Sequence, residues 1–438
     1  MRHLLLFSLL LICPYISAQK TNPIQEAIAN YDYKTALMLI NKEKPTSALL
    51  FQKGKVLKEI GRYYEALQTF EEILKTDPEN VRSIIEAAEC CKLLSLNNKA
   101  IKYYSIARVL LPDNQAISLQ QANLLYQTEK FKEAIAICDE QIKTDSSAIM
   151  LRLKAECMKE CNRKPEAIEI YQEIIKKYPT DFMAVSGLAS LYIDTEQYDY
   201  AIQCTEQYRQ IDTTNVAVNK KNAQAYCLAQ MYEKAIQRYE VLRAYGDSTV
   251  ATNYYLGSSY FATEKFGKAR ECFLVVLPYN QKNAHLHIQL ATANNRVHRA
   301  DDGLKFINKA FELTVPTDSA ISKLYMVLAE SYKVKSMYKE QINAMKEAYK
   351  YGDKKRQHII AINYQIAIVY QYGLDDTAMA RKYLEEFLST RPKTSNSKQP
   401  ELKNGEITIG LDNYYNAAES WLNEIKTGVT QNQQHTQE

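Results

Sequence analysis

Three groups of side chains in this sequence are of types that could do chemistry. Cys157 and Cys161 stand four residues apart, which on a helix places both thiols on one face, within reach of a metal or a redox step. A zinc site needs a second pair of ligands that no spacing here supplies, and neighbours at i and i+4 are poorly placed for a relaxed disulfide. His285 and His287 are two apart, so on a helix they point in different directions. His298 falls in a turn. Carboxylates are plentiful, but they fall on helix faces where water solvates them. No glycine-rich phosphate loop, GxSxG or HExxH occurs. The sequence therefore predicts no catalytic, cofactor-binding or metal-binding residue, no cofactor and no enzyme activity. Of the other cysteines, Cys91, Cys138, Cys204 and Cys272 fall on or beside apolar stripes. There a small soft side chain fills space, and buried free thiols are the expectation.

The elements that must position any site are helices. Residues 47–80, SALLFQKGKVLKEIGRYYEALQTFEEILKTDPEN, read as two amphipathic helices broken at Gly61. Leu50, Gly54 and Leu57 share one face of the first. Ala66, Phe70 and Ile73 share one face of the second, at the spacing of a single helical stripe. Asp77-Pro78 ends the pair, since proline cannot continue a helix and restricts its predecessor. The small Gly54, facing Ala66, lets the backbones approach, with Phe70 filling the space beside them.

One hairpin cannot bury its own apolar faces, and the sequence supplies neighbours at a fixed period. The small residue at Gly54 recurs at Ala88, Ala122, Ala155, Ala189, Ala223, Gly257, Ala291, Ala329 and Ala367, in steps of 34, 34, 33, 34, 34, 34, 34, 38 and 38 residues. The second-helix alanine recurs in phase at Ala100, Ala134, Ala167, Ala201, Ala235 and Ala269. With an aromatic three residues on (Tyr192, Tyr226, Tyr260, Tyr332, Tyr370) and a late proline (Pro78, Pro112, Pro179), the pattern resembles the tetratricopeptide repeat family. The expected fold is all-α: a right-handed solenoid, or superhelix, of about ten helix-turn-helix repeats with capping helices. The array runs over 47–392, as units 47–80, 81–114, 115–147, 148–181, 182–215, 216–249, 250–283, 284–317, 322–355 and 360–392. Residues 19–46 hold a degenerate first hairpin, in which Ala36 and Ile40 occupy second-helix places. Four extra residues precede each of the last two units, and the tenth carries one more in QYGLDDTAMA. They read as longer turns, with a second sub-array starting near residue 318. Residues 393–410 are a polar linker, 411–426 a closing helix, and 427–438 a disordered tail.

Residues 1–18, MRHLLLFSLLLICPYISA, have the form of a secretory signal: Arg2, an apolar core from Leu4 to Ile12, the breaker Pro14, and small residues before Gln19. The core is too short to span a bilayer. Cys13 offers the alternative of a lipoprotein, against which Ile12 stands where a small residue is wanted. Export to the periplasm or an envelope-associated location follows, and the resemblance is to an exported bacterial type. The formal net charge of +4 falls to +3 once Arg2 leaves with the leader. No run of like charge marks a nucleic-acid track. No later segment is apolar enough to span a membrane.

The resemblance also implies where a partner would sit. First helices line the concave wall, and their second, fifth, ninth and twelfth residues face into it. Those places hold Arg152, Glu156 and Lys159 in the fourth unit, and Met183, Ser186 and Ser190 in the fifth. Lys220 and Gln224 follow in the sixth, and Tyr254, Ser258 and Phe261 in the seventh. The eighth supplies His285, Ile288, Thr292 and Asn295, and the tenth Tyr364. A basic and polar middle beside an aromatic patch suits a protein or peptide partner. Some family members grip a terminal carboxylate with lysine, asparagine and arginine in three successive repeats. The matching places here hold Phe51, Lys55, Glu86, Ala116 and Gln120, so that clamp is absent. The functional expectation is an exported scaffold that binds protein in its groove, within an envelope-associated assembly. A carbohydrate- or peptidoglycan-associated binding module is the alternative, suggested by export and by 33 tyrosines, most of which fall at core places.

Overall fold

The computed structural model of the chain describes residues 22–143, 147–314, 317–392 and 411–427. The leader with Cys13, the linker 393–410 and residues 428–438 of the tail lie outside the described residues. The chain divides into two compact units, 1–191 and 192–438, the division falling within one helix and not near residue 318.

The first unit is a succession of antiparallel hairpins: α1 (Pro23–Ala29) with α2 (Tyr33–Ile40), α3 (Ser47–Glu59) with α4 (Tyr63–Thr76), and α5 (Val81–Leu93) with α6 (Asn97–Leu110). Next come α7 (Gln115–Gln127) with α8 (Phe131–Ile142), α9 (Ala148–Glu160) with α10 (Lys164–Lys177), and α11 (Phe182–Asp194), in which the division falls. The second unit continues with α12 (Tyr198–Arg209), then α13 (Val216–Leu228) with α14 (Tyr232–Ala244), and α15 (Val250–Ala262) with α16 (Phe266–Val276). It proceeds through α17 (Ala284–Arg296) with α18 (Ala300–Leu313), and α19 (Asp318–Val334) with α20 (Tyr338–Tyr351). It ends with α21 (Gln357–Ile360), α22 (Ile362–Ile368), α23 (Thr377–Ser389) and α24 (Leu411–Thr427). Among the described residues there is no strand.

Local chemistry sets the helix boundaries. First helices start at side-chain caps: Asn80, Asn215 and Asn283 each accept a hydrogen bond from the backbone N–H three residues on, at 3.1, 3.1 and 3.2 Å. They end in a left-handed residue, Gly61 at φ +79° and Glu264 at φ +58°. There the Gly61 N–H donates to the Lys58 carbonyl (3.1 Å) and the Arg62 N–H to the Leu57 carbonyl (2.9 Å), closing the first helix and reversing the chain.

Hairpins share their interiors. In the first unit one apolar cluster runs from Leu57 and Phe70 through Ile84 and Tyr104 to Ile117 and Leu124, crossing five helices. In the second, one cluster runs from Tyr226 to Leu324 and another from Ala329 to Leu422. Each unit is therefore a helical solenoid whose apolar clusters each run through several successive hairpins. At Gly54 the approach is close: a Cβ there would lie 2.6 Å from two ring carbons of Phe70, which is fully buried. The first hairpin caps its end by packing Ala27 and Ala36 on Val56. The closing helix α24 packs Tyr415, Ala418 and Leu422 into the last cluster.

The insertions correct one expectation. Asp318–Ile321 is not a longer turn. It forms the first turn of α19, capped by Thr317, whose hydroxyl accepts from the Ala320 N–H at 3.3 Å. The four residues before the tenth unit likewise run largely into α21. The single extra residue is absorbed as a π turn over Val369–Gly373, where the ladder widens to take it without breaking the helix.

Candidate functional site

First helices of neighbouring hairpins lie side by side, and a fixed register relates their exposed faces. Residues 31 apart meet: Lys55 and Glu86 (2.9 Å), Gln224 and the Tyr255 hydroxyl (2.9 Å), and the Arg82 guanidinium stacked 4.6 Å from the Phe51 ring centre. The offset is three residues short of one repeat, as expected for rows inclined across packed helices.

Internal pairing, in this register and outside it, uses up much of the polar wall expected to meet a partner. Arg152 pairs with Asp181, Glu156 pairs with Lys159 and accepts from the Tyr171 hydroxyl, and Lys159 also lies 3.4 Å from Glu160. Lys220 holds Asp247 at 3.1 Å. Ser258 turns back on its own helix, donating to the Tyr254 carbonyl at 2.8 Å. Asn295 departs from the expectation altogether: it is 2 % exposed, its Nδ2 donates to the Val327 carbonyl at 3.3 Å, and its side chain fills the space above Gly303. It cannot meet a partner in that position.

Among the expected residues that keep accessible or unengaged groups, Met183 is 53 % exposed. Tyr254 is half-buried, edge-on to Tyr255 with ring centres 5.5 Å apart, and Phe261 is half-buried against Phe266 (5.4 Å). His285 is exposed, and the Ser186 hydroxyl has no hydrogen-bond partner. His287 is buried, its Nε2 donating to the Gln281 carbonyl at 2.8 Å, so it holds the preceding turn in place. Tyr364 lies in an aromatic group with Phe387, Tyr414 and Trp421 at 5.5, 5.5 and 6.1 Å.

A concavity lies in the first unit, where the sequence pattern marks no binding residue. A cleft of about 720 Å³ opens between α1, α3 and the start of α5. That volume falls within the roughly 300–1,000 Å³ typical of ligand-holding clefts. Phe51, Ile28 and Val56 form its apolar part, Tyr31 and Tyr33 one rim, and Arg82 the other. Arg82 is exposed and, among the described residues, has no acidic partner. Its guanidinium lies over Phe51, and among the described residues no hydrogen bond engages its donors. Behind it, Glu86 receives both Lys55 and Lys58. Burial pushes the Glu86 carboxyl up, but the two ammonium groups outweigh it and hold the group below the ordinary carboxylate range. Two lysines on one carboxylate leave this wall with a positive surplus. The 31-residue register is the signal that would have found the site: it pairs an aromatic at the fifth place of one repeat with a cation at the second place of the next.

The thiols are not arranged for chemistry. Burial pushes Cys90 and Cys91 up to about 11, and Cys138 and Cys157 up to about 12, so each stays protonated near neutrality. Cys161 is half-exposed beyond the end of α9. Among the described residues no three His, Cys, Asp or Glu side chains are grouped to hold a metal ion, and no helix is long and apolar enough to cross a membrane.

Residues 48–80 and 151–181 match the sequence profile described as tetratricopeptide repeat. The human and mouse proteins called DnaJ homolog subfamily C member 7 are each 24% identical to this chain over 179 residues, covering 37% of it and 36% of their own length. The chain thus spans about a third of those relatives. Among solved structures, it is similar to a chain of the APC/C hetero-tetramer Cut9–Hcn1, at 15% identity over 90% of this chain and 82% of that one, TM-score 0.36. A chain of Naa15/Naa10 bound to HypK-THB gives 13% identity, coverage of 85% and 63%, and TM-score 0.37. MamA from Desulfovibrio magneticus RS-1 gives 15% identity, coverage of 37% and 93%, and TM-score 0.34.

Proposed function

We propose that this chain, a tetratricopeptide-repeat protein, is a scaffold that holds a partner protein by a peptide segment laid along its first-helix wall. The observation that carries the reading is the cleft of α1, α3 and α5, where apolar surface meets a cation with no acidic partner among the described residues. Such a surface suits binding: an anchor side chain enters a preformed wall while polar groups set register. The repeats pack on one another through a shared core, so the wall need not wait for a ligand to form. The leader-like residues 1–18 support export, with the scaffold acting in an envelope-associated assembly.

A photo-reactive residue placed at Phe51 or Tyr254 tests the wall, against a control at Val109, which is 80 % exposed on a second helix. Partner protein captured from the wall positions and not from Val109 supports the reading; capture only from Val109 refutes it. Amino-terminal sequencing of the mature protein tests export, which predicts Gln19 as the first residue.

One observation favours the second reading, a carbohydrate-associated module. Tyr372, 77 % exposed, stacks on Trp421 with ring centres 5.8 Å apart, a platform on which a sugar ring could lie. Retention on peptidoglycan lost in Tyr372→Ala would favour that reading over the scaffold.

A further inference from the structure

We infer that the cleft of α1, α3 and α5 takes an extended peptide in which an acidic side chain stands beside a large apolar one. The inference rests on the peptide-binding reading above and adds the place and the chemistry.

The two halves of that requirement come from two halves of one contact. Arg82 lies 4.6 Å over the Phe51 ring, which holds the guanidinium above the aromatic face, and no hydrogen bond among the described residues engages its donors. A planar fork held in place loses little freedom when it receives a carboxylate through two parallel hydrogen bonds. Phe51 itself is half-buried, edge-on to Phe70 with ring centres 5.7 Å apart, so it cannot swing away to fill the cleft. Beside it, Ile28, Ala29 and Ala48 present apolar surface above the buried Val56, which an incoming apolar side chain can cover. An acid and an apolar residue adjacent in sequence therefore reach the fork and this surface together.

Charge around the cleft points the same way. Lys55 and Lys58 share Glu86, and among the described residues Arg82 has no acid of its own, so a carboxylate arriving here is attracted and displaces no existing pair. Glu59 lines the opposite end and, among the described residues, is also without an internal partner. A polyanion such as a nucleic acid would meet Glu59 and Glu86 along the same wall, whereas a peptide with a single acid near Arg82 avoids both. Gln52, also in the wall, keeps its Oε1 out of water with no donor. Turned outward, that amide would accept from a peptide N–H, recovering the cost of an unmade bond.

The test is a selection on the full chain from a displayed library of random dodecapeptides, followed by fluorescence anisotropy of the enriched sequences. The inference expects Asp or Glu next to Leu, Ile, Phe or Met. In Arg82→Glu affinity should fall about tenfold or more, the weight of a charge-assisted pair, and it should return when the peptide acid is replaced by lysine. Arg82 is exposed, so this variant keeps the fold, which circular dichroism verifies; Phe51→Ala, which also thins the core, serves as a second variant. Enriched peptides that bind Arg82→Glu as well as the parent would overturn the inference while the scaffold reading stands, with Tyr254→Ala and Phe261→Ala then locating the true site. No enrichment at all, or binding only to oligosaccharide, overturns both.

Discussion

Replacing Gly54 by alanine sets two effects of known sign against each other. Alanine is the better helix former by about 0.8–1.0 kcal/mol, so on an open helix face the change would stabilise. Here the new Cβ would stand 2.6 Å from Cε1 and Cζ of Phe70, about an ångström inside ordinary contact, and Phe70 is 0 % exposed with Phe51 against its ring. Overpacking of this kind costs roughly 1–3 kcal/mol, so Gly54→Ala should destabilise the hairpin of α3 and α4 by about 1 kcal/mol net. In Phe70→Leu, whose side chain stops short of the clash, the same substitution should stabilise. The measurement is a double-mutant cycle read by hydrogen exchange of the α3 and α4 amides, since a solenoid opens locally and a single global midpoint would blur the effect. The cycle should return a coupling of roughly 1–3 kcal/mol between the two positions. Equal effects of Gly54→Ala in both backgrounds would mean that the close approach of the two helices does not set the packing here.

Gly61 tests the turn separately, because a Cβ there meets nothing within 4 Å and only its φ of +79° opposes a side chain. Gly61→Ala should cost about 1 kcal/mol, and Glu129→Gly, at φ +60° in the corresponding turn, should slow exchange of α7 and α8 instead. Iodoacetamide at about pH 7.5 should modify Cys161 first in the native protein and all eight described thiols in denaturant; modification of Cys138 as fast as Cys161 would contradict the packed core. The folded Glu86 carboxyl lies below its ordinary value, so its contribution is complete above about pH 4.3 and is lost as pH falls through the folded value. Acid should therefore loosen α3 against α5 over that window, and Glu86→Gln should flatten this part of the profile in a pepsin-sensitivity series.

The repeat was legible because it is written in small residues. Ala66, Ala100 and Ala134 are each 0 % exposed, and a small side chain recurring at that period marks where two helices approach closely. The binding wall was harder to read. A polar residue on an exposed stripe carries no mark of whether it faces a ligand or the next repeat, and the 31-residue offset assigns Gln224 to the next helix, as its own pairing assigns Lys220 to Asp247. Asn295 did leave a trace: Gly303 stands where the seven preceding repeats carry alanine, and the missing methyl is the room the Asn295 side chain occupies. A paired departure, one residue smaller and a neighbour larger and polar, marks a local repacking. The cleft went unnoticed because its floor and its cation belong to different repeats, each unremarkable alone.

The insertions near the end of the array show what this architecture permits in length. Each residue added to a helix rotates every later side chain by about 100°, so four residues turn a stripe by only about 40° past a full revolution. Side chains that must reach the adjoining hairpin stay within its grasp, as α19 does with its added turn. A single extra residue, which would swing the stripe by about 100°, is tolerated at Val369–Gly373 because the π turn absorbs the angle locally. Two extra residues have neither escape, and would aim a hairpin's apolar side at solvent. Tolerance to lengthening in this chain is thus a matter of phase: it should come at one residue, at four, at seven, where the stripe falls about 20° short of two revolutions, and at a whole repeat, and be lost at two.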